Sequence, residues 1–99
     1  MAVQIAIDKE QIAEFCRRHH IAKLSLFGSV TTDEFRDDSD VDVLVEYDPA
    51  HIPNLLQVVA QEQELSELLG RRIDLRTAED LSRFFRDEVV RSALVQYGG

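Results

Sequence analysis

The chain has a single cysteine, Cys16, so no intrachain disulfide is open to it. No apolar stretch approaches the roughly 20 residues that span a bilayer. The opening run Met1 to Ile7 is too short for a signal peptide and lacks its basic start. A soluble, cytoplasmic protein is expected. Basic residues are also scarce: 11 Lys+Arg stand against 19 Asp+Glu, for a formal net charge of -8. Such a surface repels phosphate polymers unless a metal or a local basic cluster intervenes, so binding of free nucleic acid is not expected. No repeat, low-complexity segment or linker interrupts residues 1–99, which read as one domain. A domain of this size buries only roughly 60–65% of its extended-chain surface. One modest core leaves little chain for the walls of a second substrate site, and a partner or a second copy is expected to supply them.

The periodicity is that of an α+β or α/β domain with a small sheet. Asp8, with Gln11 three residues on, has capping-box character, and Ile7 and Ile12 sit at staple positions, so a helix starts near Asp8 and ends near His20. Its stripe is Ile12, Phe15, Cys16 and His19. Ala22 to Phe27 alternates as a strand and Gly28 breaks it; Ser29 can cap a brief helical segment through about Phe35. A second strand, Val41 to Tyr47, puts Val41, Val43 and Val45 on one face and Asp42, Leu44 and Glu46 on the other. Pro53 suits the first turn of a helix carrying Leu55, Leu56, Val59, Leu65, Leu68 and Leu69 and stopping at Gly70. Arg71 to Arg76 is a short third strand. Thr77 with Asp80 can cap a helix carrying Leu81, Phe84, Phe85, Val89 and Val90, and Ala93 to Tyr97 can add an edge strand.

Three acids carry the chemistry. Asp40 and Asp42 are two residues apart at a strand start, so their side chains leave one face with Cα atoms about 6.6 Å apart. Two carboxylates so close repel, and each pKa rises unless a cation compensates. Mg²⁺ suits the position, because it takes oxygen ligands and binds through one or two carboxylates plus substrate phosphates; Mn²⁺ is the alternative ion. Asp74 lies between Ile73 and Leu75, which point to the opposite face, and a strand neighbour about 4.8 Å away can bring it beside the other two. Two metals held by Asp40, Asp42 and Asp74 can activate a hydroxyl and stabilise leaving pyrophosphate, with Asp74 the candidate general base. Gly28 permits close backbone approach to a phosphate, and Ser29 adds a hydroxyl donor and the free N–H groups of a helical turn. A Gly-Ser pair alone is an ordinary turn; its spacing to the acids gives it meaning.

The segment Leu26-Phe27-Gly28-Ser29, then ten residues, then Asp40-Val41-Asp42-Val43-Leu44-Val45, resembles the nucleotidyltransferases of the polymerase-beta superfamily. The resemblance covers about residues 20 to 76, with Asp74 matching the third acid, and is greatest to the minimal nucleotidyltransferase antitoxins encoded beside HEPN-domain toxins. It implies an α+β nucleotidyltransferase fold, a small mixed sheet flanked by helices. It implies Asp40, Asp42 and Asp74 as metal ligands and catalytic carboxylates, Gly28 and Ser29 on the nucleotide triphosphate, and ATP as substrate. In those relatives AMP passes to a tyrosine of the HEPN toxin and silences it. The relatives that act on antibiotics or nucleic acids carry an extra helical domain, for which this sequence has no counterpart.

One departure matters. Relatives often carry arginines just after Gly-Ser, whereas Val30, Thr31, Thr32 and the acidic Asp33 follow here. Arg36, Lys23 or a basic residue of the partner are the candidates to replace them. The weak phosphate side motivates a rival reading, a binding antitoxin that neutralises its partner by occlusion; a homodimeric small-molecule nucleotidyltransferase ranks third. His19-His20 reads as a helix end complementing the macrodipole, Cys16 as a buried inert thiol, and Asp37 and Asp38 as a solvated loop. Phe84, Phe85, Val89 and Val90 divide between core and partner surface.

Overall fold

The computed structural model describes residues 8–28, 40–84 and 86–98. Helix α1, Lys9–Arg18, starts where the sequence puts it. Asp8 holds extended backbone, and its carboxylate accepts from the N–H groups of Glu10 and Gln11 at 3.0 and 3.3 Å. Two of the four partnerless N–H groups of a helix start are thereby satisfied. Arg17 and Arg18 fill the last turn, complementing the negative end. Ile12, Phe15 and Cys16 are buried, and His19 closes the helix against the Phe15 ring, 4.7 Å between centroids. The staple residue Ile7 and the helical segment expected after Ser29 lie outside the described residues.

Four strands form one mixed sheet in the order β3-β2-β1-β4: β1 is Ile21–Phe27, β2 Val41–Tyr47, β3 Ile73–Arg76 and β4 Leu94–Tyr97. β1 runs antiparallel to β2 and β4, and β2 runs parallel to β3. A parallel pair requires a crossover, which here is helix α2, Leu55–Leu69. Strand alternation sorts the two faces. Leu24, Leu26, Val41, Val43, Val45, Ile73 and Leu75 turn to one side and, with Ile12, Phe15, Cys16 and Leu65, make a single core. The other side carries Phe27, Asp42, Leu44, Asp74 and Arg76, in register across three strands. Residues of α1 and α2 join the apolar face in the core, and the acids keep the other.

Helix α2 differs from expectation in two ways. Pro53 lies ahead of the helix: Asn54 is the cap, reciprocally bonded with Gln57 at 2.9 and 2.8 Å. Its first half also misses the core, since Leu55, Leu56 and Val59 are 77, 80 and 52% exposed. α2 meets the sheet at β3, and its buried positions, Gln61 and Leu65, lie further along. Gln61 tolerates burial because its Oε1 accepts from the Tyr47 hydroxyl at 2.7 Å. Gly70 ends α2 in the left-handed region, φ +67°.

The helix expected from Thr77 is interrupted. Asp80 does accept from the Thr77 N–H and hydroxyl, both at 3.1 Å, but the pair closes only a 3₁₀ turn, Ala78–Asp80. Ser82 then takes the Phe84 N–H at 3.3 Å, a local bond that competes with helix formation. Helix α3 is therefore short, Arg86–Ser92, with no buried residue, and Phe84 is 87% exposed. Phe85 is outside the described residues. Among those residues no helix is long and apolar enough to cross a membrane.

A candidate metal and nucleotide site

β1 ends at Phe27, in register with Asp42, and Gly28 follows with φ +77°. A Cβ at Gly28 would stand 2.2 Å from Asp42 Oδ2. The positive φ favours glycine, and a side chain here would force the Asp42 carboxylate to shift. Asp42 is paired directly with Asp74 across the parallel β2–β3 ladder, and Asp40 precedes β2 by one residue. The Val41 N–H donates to the Arg72 carbonyl at 2.8 Å, fastening the start of β2 to that of β3. One end of one sheet face therefore gathers Gly28, Asp40, Asp42 and Asp74. Ser29 lies outside the described residues.

The electrostatics follow from this crowding. Burial pushes the Asp42 carboxyl above its ordinary 3.8, and the charges of Asp74 and then Asp40 push it the same way, with Arg76 opposing. Two arginines answer the other acids. Arg76 grips Asp74 with Nε to Oδ1 at 3.0 Å and Nη2 to Oδ2 at 3.3 Å, and Arg72 stands 3.9 Å from Asp40. Among the described residues no three donors already stand in coordinating geometry. The donor chemistry nonetheless fits Mg²⁺: hard oxygen ligands, one half-buried and strained by like charge. The ordinary signal for Arg76 was in the sequence, because period-two alternation puts it on the Asp74 face; sequence reading missed it by treating it as a strand end.

Beyond the acids the same face opens into a cleft of about 670 Å³ lined by Ser25, Leu44, Tyr47, Ile52, Thr77 and Val90, among others. It begins at Leu44, the next residue beyond Asp42 on that face, and includes none of the three acids. Elsewhere the histidines have structural partners. His19 Nε2 is 3.1 Å from Glu64 Oε1, and Arg18 pairs with the same carboxylate, holding Glu64 below its usual range. His20 stacks on His51 at 3.7 Å. Cys16 is buried and its thiol is pushed up to about 12, as befits an inert core residue.

A strand–glycine turn facing carboxylates on the next two strands defines a nucleotidyl-transfer architecture, and comparison with known proteins agrees. The nucleotidyltransferase domain family matches residues 9–96, and the chain belongs to that family. It is similar to the protein adenylyltransferase MntA of Thermococcus cleftensis, 35% identical over 81 residues, 82% of this chain and 80% of that protein. A solved structure provisionally named a minimal nucleotidyltransferase is 34% identical, with a TM-score of 0.72 over 87% of this chain and 86% of that one. The fold is also that of a chain in a complex of tri-AMPylated Shewanella oneidensis HEPN toxin with MNT antitoxin, at TM-score 0.65 and 20% identity over 92% of this chain and 70% of that one.

Proposed function

We propose that this chain transfers AMP from ATP to a hydroxyl, that of a tyrosine, on a HEPN-type toxin and so acts as its antitoxin. The single observation that carries the reading is the register pairing of Asp42 with Asp74 beside a glycine at which a side chain would force the Asp42 carboxylate to shift. Support comes from the adenylyltransferase name of the Thermococcus relative and from the AMP-modified toxin in the shared-fold complex.

In this reading Asp40 and Asp42 hold Mg²⁺ with Asp74 as third ligand, and Gly28 and Ser29 let the triphosphate approach the backbone. Bound ions supply positive charge for the phosphates and the leaving pyrophosphate. Asp74 takes the proton from the acceptor hydroxyl. The freed oxygen attacks the α-phosphorus, a P–O bond to the acceptor forms, and the α–β bridge breaks to release pyrophosphate. The half-burial of Asp42 reduces its solvation and so strengthens its attraction for a cation. Such a reaction belongs in the cytoplasm, where ATP is abundant and a free thiol such as Cys16 persists.

The test is incubation with the HEPN-type protein, ATP and Mg²⁺, followed by intact mass spectrometry. AMP-sized increments on the partner, lost with Asp74→Asn, are expected, because a general base contributes typically 10²–10⁴-fold to rate. Tight complex formation without a mass change, unaltered by Asp74→Asn, would replace catalysis by occlusion. That second reading draws on Val30, Thr31 and Thr32, which bring no cation to the phosphate turn.

A further inference from the structure

The acid cluster contains its own counter-ion. Asp74 and Arg76 leave the same face of β3, and Arg76 is in register with Leu44, the next residue beyond Asp42 on that face. Its guanidinium engages both oxygens of Asp74 and also favours the ionised form of Asp42. While this grip lasts, each Asp74 oxygen carries a guanidinium N–H that a metal or an acceptor proton has to compete with. The grip is also weak, because the two side chains are 48 and 37% exposed, and exposed ion pairs contribute little. A divalent cation between Asp42 and Asp74 competes directly with it.

Displacement does not leave the arginine idle. Its flexible side chain is anchored at the edge of the acid cluster, and its planar fork matches phosphate oxygens as well as it matches a carboxylate. The incoming triphosphate needs such a cation, since Val30, Thr31, Thr32 and Asp33 after Gly28-Ser29 bring none, and Arg36 lies outside the described residues. Arg72 is a poorer candidate: it is 84% exposed, and its contact with Asp40 is a loose one at 3.9 Å. Lys23 stands further along the sheet, opposite Glu46. We propose that Arg76 is an exchangeable counter-ion, pairing with Asp74 while the acids lack metal and turning to a phosphate oxygen of the metal-bound nucleotide. This rests on the reading of the acids as a metal and nucleotide site.

The two halves of the proposal predict changes of opposite sign. Mn²⁺ binding to the intact chain, followed by electron paramagnetic resonance, reports the competition; calorimetry with Mg²⁺ and the non-hydrolysable AMP-PNP reports the phosphate contact. Arg76→Gln is expected to bind Mn²⁺ alone about threefold or more tighter, because its competitor is gone. The same variant is expected to bind Mg²⁺·AMP-PNP about tenfold or more weaker, the scale of one lost charge-assisted hydrogen bond. Arg76→Lys keeps the charge without the fork and should recover part of the nucleotide affinity. A purely structural arginine would move both affinities in the same direction. If Arg76→Gln changes both alike or neither, while Asp42→Asn abolishes metal and nucleotide binding, the exchange is wrong and the site stands. If Asp42→Asn binds both ligands as wild type does, the site itself is wrong.

Discussion

Neutralising the central acid should make the metal-free protein more stable. Asp42 faces Asp74 on a strand spaced about 4.8 Å away. Two unit charges about 5 Å apart repel by roughly 0.8 kcal/mol in water and by about 3.3 kcal/mol at an effective dielectric constant near 20. Asp42 is half-buried, but Asp74 and Asp40 are 37 and 48% exposed, which draws the value toward the water limit. Asp40 adds a second repulsion, and Arg76 removes part of the total. Asp42→Asn in EDTA at pH 7 should therefore gain about 1 kcal/mol, a rise of about 4–8 °C in Tm for a chain of this length. The pH dependence has a definite sign. Because the folded-state pKa of Asp42 lies above 3.8, the folded protein prefers the protonated carboxyl; stability is intact below 3.8 and is lost as pH rises through the raised value. The advantage of Asn over Asp should consequently vanish on acidification to about pH 3. Adding Mg²⁺ and AMP-PNP should reverse the order, since only the wild-type cluster binds them well. Thermal melts by circular dichroism measure all three conditions. A variant no more stable than wild type at pH 7 in EDTA would refute the account of Asp42 as a carboxylate under net like-charge repulsion.

Gly28→Ala places a methyl 2.2 Å from Asp42 Oδ2 at a backbone angle that L residues avoid, so a loss of about 1–3 kcal/mol and of measurable Mg²⁺·AMP-PNP binding is expected in melts and calorimetry. Leu65→Ala, at a fully buried position, should cost about 2–5 kcal/mol in urea unfolding. Leu56→Ala, at 80% exposure on the same helix, should stay within about 0.5 kcal/mol. Cys16, buried and with its thiol raised to about 12, should resist iodoacetamide at pH 8 in the folded chain and react once urea unfolds it, as mass spectrometry would record.

Elements whose apolar pattern and boundary signals coincide were legible in the sequence. Asp8 sets the start of α1, Gly70 sets the end of α2, and the Val41, Val43 and Val45 alternation fixes β2 at both ends. The pattern is silent on what covers an apolar face. Leu55, Leu56 and Val59 have the spacing of core residues and lie in solvent, because α2 reaches the sheet only further along. A capping pair is equally local: Thr77 and Asp80 make their bonds, but nothing in those bonds decides whether the chain continues as a helix.

The candidate site divides along the same line. Period-two alternation gives the face on which Asp42, Asp74 and Arg76 project, but it cannot say that Asp42 and Asp74 are opposite one another. That coincidence depends on the register of two parallel strands joined through all of α2, a long-range choice made by the core. Sliding β3 by one residue would turn Asp74 into the core and bring Ile73 or Leu75 to the metal side. The register is held by the other face. Ile73 and Leu75 pack beside Val41 and Val43, the Val41 N–H bonds to Arg72, and the Leu75 N–H is capped by Glu62 of α2 at 2.9 Å. The energy that aligns two mutually repelling acids thus comes from apolar burial a few ångströms away, and any change that loosens Ile73 or Leu75 should scatter the acids before it unfolds the chain.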